Sequence, residues 1–286
     1  MKDRILSTVG LWALVGLVLW VSSRYDAAQL AGFAVLLLLT LAAQYETYRL
    51  LERMGAKPDV TTGLICGAGL LIAQFLGLIA TSPMLAGIAL AWVGVLLSLL
   101  RNPGETKAWV LRTPTTFGVL YVPFLMSFLT TFVGWGKVGS NEGLWVGVWI
   151  IAVTKFTDVG GLLIGVPFGR HKIAPNVSPA KSWEGTLGGI ALSCAVGALG
   201  AWTLTTWAGV DFPPLRGALI ALPLAALSLP SDLVESHLKR RAGVKDSGST
   251  IPGIGGALDL IDSLLLVAPA AYLMIELLAR TRIGGG

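Results

Sequence analysis

Charge is what this sequence has least of. Only 13% of its 286 residues are Asp, Glu, Lys or Arg, against about a quarter in ordinary soluble domains. No stretch is long and polar enough to form a separate soluble domain. Histidine is confined to His171 and His237, which have no companion ligand at metal-binding spacing, so both read as solvated loop residues. Cys66 and Cys194 each lie inside an apolar run, where they read as small packing residues, and neither a disulfide nor a metal pair is implied. The regular alternation of apolar and polar residues that marks an outer-membrane barrel is also missing. What the sequence does have is 54% hydrophobic residues, a mean hydropathy of +0.75 and repeated apolar runs of about 20 residues. These predict an all-α, polytopic integral membrane protein.

Hydropathy predicts nine transmembrane helices, at about residues 5–22, 28–48, 61–80, 84–100, 116–133, 143–166, 185–208, 215–231 and 257–279. They divide into an N-terminal group, 1–142, and a C-terminal group, 143–286, within one membrane unit. Lys2 and Arg4 before the first run imitate a signal peptide, but the run exceeds a typical h-region and lacks a small-x-small cleavage site, so an uncleaved helix is expected. With the N-terminus inside, 15 Lys and Arg fall on the inner side and 5 on the outer, leaving Lys155 within a span. That places the C-terminus outside and the loops around 167–183 and 236–262 on the cytoplasmic side. The net charge of +5 is thereby assigned to topology, and no nucleic-acid partner is expected. Trp20, Trp109, Trp135, Trp183 and Trp207 fall near span ends, as an interfacial belt would place them.

Against this background the stretch SHLKRRAGVKDSGSTIPGIGGALDLID, residues 236–262, stands out. Asp259 and Asp262 are three apart, so a helix sets both carboxylates on one face. Asp232, Ser236 and Lys239 are spaced by four and three on another face, with Glu235 beside Asp232. Brought together, these groups suit a hard cation and phosphate oxygens, since Mg²⁺ takes one or two carboxylates and completes its shell with substrate and water. Asp259 and Asp262 equally suit a first helical turn, where carboxylates cap free amides. Lys239, Arg240, Arg241 and Lys245 equally suit topology-setting charges at a lipid surface. The turn Pro252, Gly253, Gly255, Gly256 opens into the last span, an arrangement that can cradle phosphate or simply turn the chain.

A second polar cluster, FGRHKIAPNVSPAKSWEGTLGG, precedes the seventh span. Ser178-Pro179 reads as a turn, and Lys181, Ser182 and Glu184 mark a helix start. Lys155 and Asp158, three apart in the sixth span, read as a buried neutralising pair or as a substrate contact.

The pattern S-x-x-K-R-x-x-x-x-K-D-x-x-x-x-x-P-G-x-G-G-x-x-D-x-x-D, running from Ser236 to Asp262, closely resembles the signature of the phosphatidate cytidylyltransferases, or CDP-diacylglycerol synthases. SPAKSWEG is similar to that family's S-P-x-K-T-W-E-G element, and DVGG at Asp158 resembles its upstream D-x-G stretch. The resemblance covers about residues 150–265, and the N-terminal spans match only in being hydrophobic. It implies a helical enzyme of about nine spans, often dimeric, in the bacterial inner membrane. The implied reaction joins CTP and phosphatidic acid into CDP-diacylglycerol and pyrophosphate at the cytoplasmic face, using Mg²⁺ with or without a second cation.

Carried onto this chain, the resemblance implies catalytic roles for Lys239, Asp232, Asp259 and Asp262, with Asp246 joining the three aspartates as metal donors. Ser236, Arg240, Lys245, Gly255 and Gly256 become substrate contacts, as do Ser178, Lys181, Trp183 and Glu184. Two positions depart from the pattern: Ile254 stands where the family has His, and Leu260 where it has Arg. A paralogue acting on a related lipid phosphate is one alternative. Another is a transporter using Lys155, Asp158, Asp259 and Asp262 as an ion relay, although no inverted repeat supports it. The D-G-x-x-A-R opening expected of CDP-alcohol phosphatidyltransferases is absent.

Overall fold

The computed structural model describes residues 28–78, 108–134, 141–250 and 255–283, together with positions 16, 17 and 20. The expected spans at 5–22 and 84–100, the tryptophan Trp135, the turn residues Pro252, Gly253 and Ile254, and Gly284 to Gly286 lie outside the described residues, apart from those isolated positions. The described chain is mostly helical: α1 Ala28–Arg53, α2 Val60–Phe75, α3 Ala108–Val119, a π-helical turn Leu120–Phe124, α4 Leu125–Val133, α5 Glu142–Phe168, α6 Trp183–Trp207, α7 Pro214–Arg241, α8 Ala257–Ile261 and α9 Leu264–Ile283. Among the described residues, six stretches are long and apolar enough to cross a membrane: Ala28–Arg53, Thr113–Val133, Glu142–Phe168, Trp183–Trp207, Pro214–Arg241 and Ala257–Glu276. By length and composition this is an integral membrane protein. Leu38, Leu162, Val166, Leu199, Trp207 and Leu215 leave their side chains exposed, as lipid-facing positions require.

Two compact units divide the chain, one of residues 1–141 with 238–262, the other of 142–237 with 263–286. In the first, Asp59 starts α2 by accepting from Thr62 N at 3.1 Å, and its own amide donates to Thr115 Oγ1 at 2.7 Å. Tyr48, fully buried on α1, donates to the Thr115 carbonyl at 2.9 Å, and Gln44 Nε2 donates to the Gly63 carbonyl at 2.8 Å. A Cβ at Gly63 or Gly118 would collide with the Tyr48 ring, so both glycines admit the aromatic ring between helices. Pro123 has no amide hydrogen to donate, and the chain accommodates it within the π-helical turn.

In the second unit, α5 and α6 pack at backbone distance. A Cβ at Gly160 would lie 2.8 Å from Gly189 Cα, so small residues set this crossing. Ser193 Oγ donates to the Val153 carbonyl at 2.9 Å, and Trp149 Nε1 to the Gly197 carbonyl at 3.0 Å, fixing the register of the same two helices.

Four sequence expectations need correction. The fold is mostly but not purely helical: after α5, β1 Lys172–Ala174 pairs antiparallel with β2 Ser178–Ser182. Ser178 and Pro179 are strand residues; the turn lies one step earlier, at 175–177, closed by Val177 N on the Ala174 carbonyl at 3.1 Å. α7 runs ten residues beyond the expected end at 231, carrying the polar residues 232–241 as helix. The last span is broken at Asp262 and Ser263, and Ser231 Oγ accepts the Leu266 amide at 3.2 Å near the restart.

Candidate active site

The extension of α7 is what arranges the first group of polar side chains. Ser236 Oγ donates to Asp232 Oδ1 at 3.2 Å, one helical turn away. Glu235 is fully buried, and carboxylate oxygens of Asp232 and Glu235 come within 4.8 Å of each other. Lys181, reaching from β2, forms an ion pair with Asp232 Oδ2. A lysine of the SPAKSWEG element and an aspartate one helical turn before the Ser236–Asp262 pattern are therefore direct partners. Two neighbouring carboxylates with a hydroxyl beside them form an oxygen donor set that fits a hard divalent cation. Glu235 had entered the sequence reading only as a neighbour of Asp232; its full burial marks it as a member of the group.

α7 ends at Gly243, whose φ of +71° lets Val244 N reach back to the Lys239 carbonyl at 3.0 Å. Lys245 and Asp246 follow on an exposed turn, and Arg240 is exposed with Nη1 on the Val244 carbonyl at 3.2 Å. Lys239 behaves differently from these charges. Its ammonium donates to Asp259 Oδ1 at 2.6 Å, and both side chains are largely buried. The other oxygen of Asp259 accepts from Gly256 N at 2.7 Å and Ser247 N at 3.0 Å, and Ser247 Oγ lies 2.9 Å from it. Asp259 thus makes the helix cap, one of the two readings that spacing left open, and is at the same time the ion-pair partner of Lys239. Asp262 is buried at the end of α8. Leu260, where the resemblance expects Arg, is 8% exposed among apolar neighbours in sequence.

In the described part of the turn, three backbone amides have partners within the chain. The amides of Gly256, Ala257 and Leu258 are already engaged, the first by Asp259 and the other two by Glu46 of α1. A Cβ at Gly256 would fall on Ser247 Oγ and Glu46 Oε2, so this glycine is there to admit a carboxylate of the chain itself. Gly255 adopts φ +122°, a backbone conformation that requires glycine.

The hairpin carries the remaining expected contacts. Ser178 is half-buried on β2, and Trp183 is exposed at the start of α6. Ser182 caps α6 by accepting from Gly185 N at 3.2 Å, as its position in the sequence foretold. Glu184 accepts the amides of Arg170 and His171 at 3.1 and 3.2 Å and meets His171 Nδ1 at 2.5 Å. Its work is to clamp the hairpin, and His171, expected to be solvated without a partner, is its counterpart. His237 is exposed on α7 and not in a loop. Lys155 and Asp158 do pair, at 3.7 Å, and Ser263 joins them: Lys155 Nζ lies 2.9 Å from Ser263 Oγ, which lies 3.2 Å from Asp158 Oδ2.

The model of the cytidylyltransferase family matches residues 2–278. The chain belongs to that family. Its relatives include the phosphatidate cytidylyltransferase of Mycobacterium bovis, 37% identical over 177 residues, which are 62% of this chain and 54% of the relative. That of Synechocystis is 43% identical over 136 residues, 48% of this chain and 45% of the relative. That of Haemophilus influenzae is 31% identical over 214 residues, 73% of this chain and 72% of the relative. The chain thus spans about half the length of the Mycobacterium and Synechocystis relatives it matches.

Proposed function

We propose that the protein is a phosphatidate cytidylyltransferase, condensing CTP with phosphatidic acid to give CDP-diacylglycerol and pyrophosphate. Family membership together with the ordered polar groups from Lys181 to Asp262 supports this reading, and the pairing of Lys181 with Asp232 carries it. A phosphate oxygen of phosphatidic acid forms the new bond to the α-phosphorus of CTP as the bond to the bridging oxygen of pyrophosphate breaks. The nucleophile is already ionised near neutral pH, so no Ser, Cys or His nucleophile is needed. Lys181, Lys239, Arg240 and Lys245 would bind and align phosphate groups, and Ser178, Ser236 and Trp183 would add substrate contacts. Asp232 and Glu235 would hold Mg²⁺, with Asp262 and Asp246 as further acidic groups; bound there, it would offset charge on the phosphates.

The same reading assigns the enzyme to the bacterial inner membrane with nine spans, N-terminus in, the reaction at the cytoplasmic face, and a homodimeric assembly. Leu260 in place of Arg favours testing related lipid phosphates as alternative acceptors. Incorporation of radiolabelled CTP into lipid by purified protein decides the function. Release of pyrophosphate with phosphatidic acid is expected; its absence with every phosphatidic acid tried would remove the proposal. Cysteine tags at residue 246 and after Arg282 should report opposite sides of the membrane, and finding both on one side would overturn the nine-span topology.

A further inference from the structure

Glu46 sits on α1, in a helix otherwise apolar enough to span a membrane, and its residue is only 4% exposed. A buried carboxylate is costly unless donors surround it. Here four do, and all four come from one distant segment. Oε1 accepts from Thr250 Oγ1 at 2.5 Å and Ala257 N at 3.0 Å; Oε2 accepts from Ser247 Oγ at 2.8 Å and Leu258 N at 2.9 Å. Ser247 Oγ also lies 2.9 Å from Asp259 Oδ2, which connects Glu46 through one hydroxyl to the carboxylate that holds Lys239. The packing around the end of this side chain is close: a Cβ on Gly248 would lie 2.5 Å from Glu46 Oε1, and one on Gly256 would overlap Oε2.

We propose that Glu46 is a positioning residue that sets residues 247–250 and 255–258, and through them the Lys239–Asp259 pair, for phosphate binding. α8 has only five residues, too few for a helix to stand alone. Glu46 supplies acceptors for two of its first amides and gathers the preceding loop by two hydroxyls, so the segment's conformation is fixed from α1. Its effect on turnover rests on the reaction proposed above; its effect on loop order does not.

The test is deuterium exchange of full-length protein in detergent, with CTP turnover measured alongside. Glu46→Gln keeps the shape but turns an amide group toward two of the four donors. Unpaired buried donors favour local opening, so exchange of the described residues between 245 and 261, 245–250 and 255–261, should rise about tenfold or more. The helix 60–75 should keep its wild-type protection. Turnover at saturating CTP should fall by a similar factor, with KM for CTP changing less. Unchanged exchange in 245–250 and 255–261, or an equal rise in 60–75, would overturn the proposal. Thr250→Val, which removes one donor and spares the carboxylate, decides the matter if Glu46→Gln does not fold: a smaller rise confined to 245–250 and 255–261 supports it, and no rise overturns it. A wild-type protein that makes no CDP-diacylglycerol would remove the reaction, while the exchange result would still decide the positioning role.

Discussion

Lys239 Nζ donates to Asp259 Oδ1 at 2.6 Å, with 11% and 10% of the two side chains exposed. The carboxylate that caps α8 is therefore also the counter-ion of the last inward-facing cation on α7. Removing one member of a buried pair leaves an uncompensated charge, at a cost of about 3–5 kcal/mol, while removing both is cheaper. Lys239→Met should lower the melting temperature more than the double substitution Lys239→Met with Asp259→Asn. A double-mutant cycle on thermal melts should give a coupling of about 1–3 kcal/mol, and strict additivity would mean the pair contributes nothing.

The contact between α5 and α6 gives a second prediction with its own control. A Cβ on Gly160 would meet Gly189 Cα at 2.8 Å and Leu192 Cβ at 3.0 Å, whereas a Cβ on Gly161 meets only the Gly185 carbonyl at 3.7 Å. Gly160→Ala should destabilise by about 1–3 kcal/mol, as overpacking does, and Gly161→Ala should be near neutral. The substitutions are chemically identical and adjacent, so equal melting temperatures would show that close helix approach does not limit stability here.

What could be read from the sequence follows from what hydropathy measures. The spans expected at 143–166 and 185–208 are α5, Glu142–Phe168, and α6, Trp183–Trp207, because an unbroken apolar run in lipid has no alternative to a helix. The same criterion ended α7 at 231, since SDLVESHLKRR is polar; yet its i, i+4 contact from Ser236 to Asp232 is what a continuing helix makes. Spacing found Lys155 with Asp158 and the face of Asp232, Ser236 and Lys239, all local relationships. It could not find Glu46, which looks like an acid near a span end and whose partner Ser247 is 201 residues away. Nor could it tell that the amides after the glycine turn were already taken.

The ion pair of Lys181 with Asp232 makes a prediction about cation dependence. An ammonium on a carboxylate competes with a divalent cation for the same oxygen. Lys181→Met should therefore lower the half-saturating Mg²⁺ concentration several-fold while raising KM for the phosphate substrates, because the same side chain would serve them. Rates measured across a Mg²⁺ series at fixed ionic strength check this. A higher Mg²⁺ requirement in Lys181→Met would show that the lysine supports cation binding and does not compete with it.

The acidic group on α7 can be separated from the exposed acid in the following turn. Asp232→Asn keeps the side-chain volume and the acceptor for Ser236, and Glu235→Gln keeps the buried volume, but each removes a negative oxygen that a hard cation requires. Both should abolish turnover at ordinary Mg²⁺ concentrations. Asp246 lies in the exposed turn beyond the end of α7 and on no helix face, and Asp246→Asn should cost less. Melting temperatures separate loss of a cation donor from loss of fold. Glu235→Gln changes a fully buried group and is the variant more prone to lower stability. Asp232 is only part-buried, so its substitution should leave the melt nearly unchanged. Initial rates of Asp232→Asn close to wild type at every Mg²⁺ concentration would withdraw it as a cation donor and leave it as the partner of Lys181.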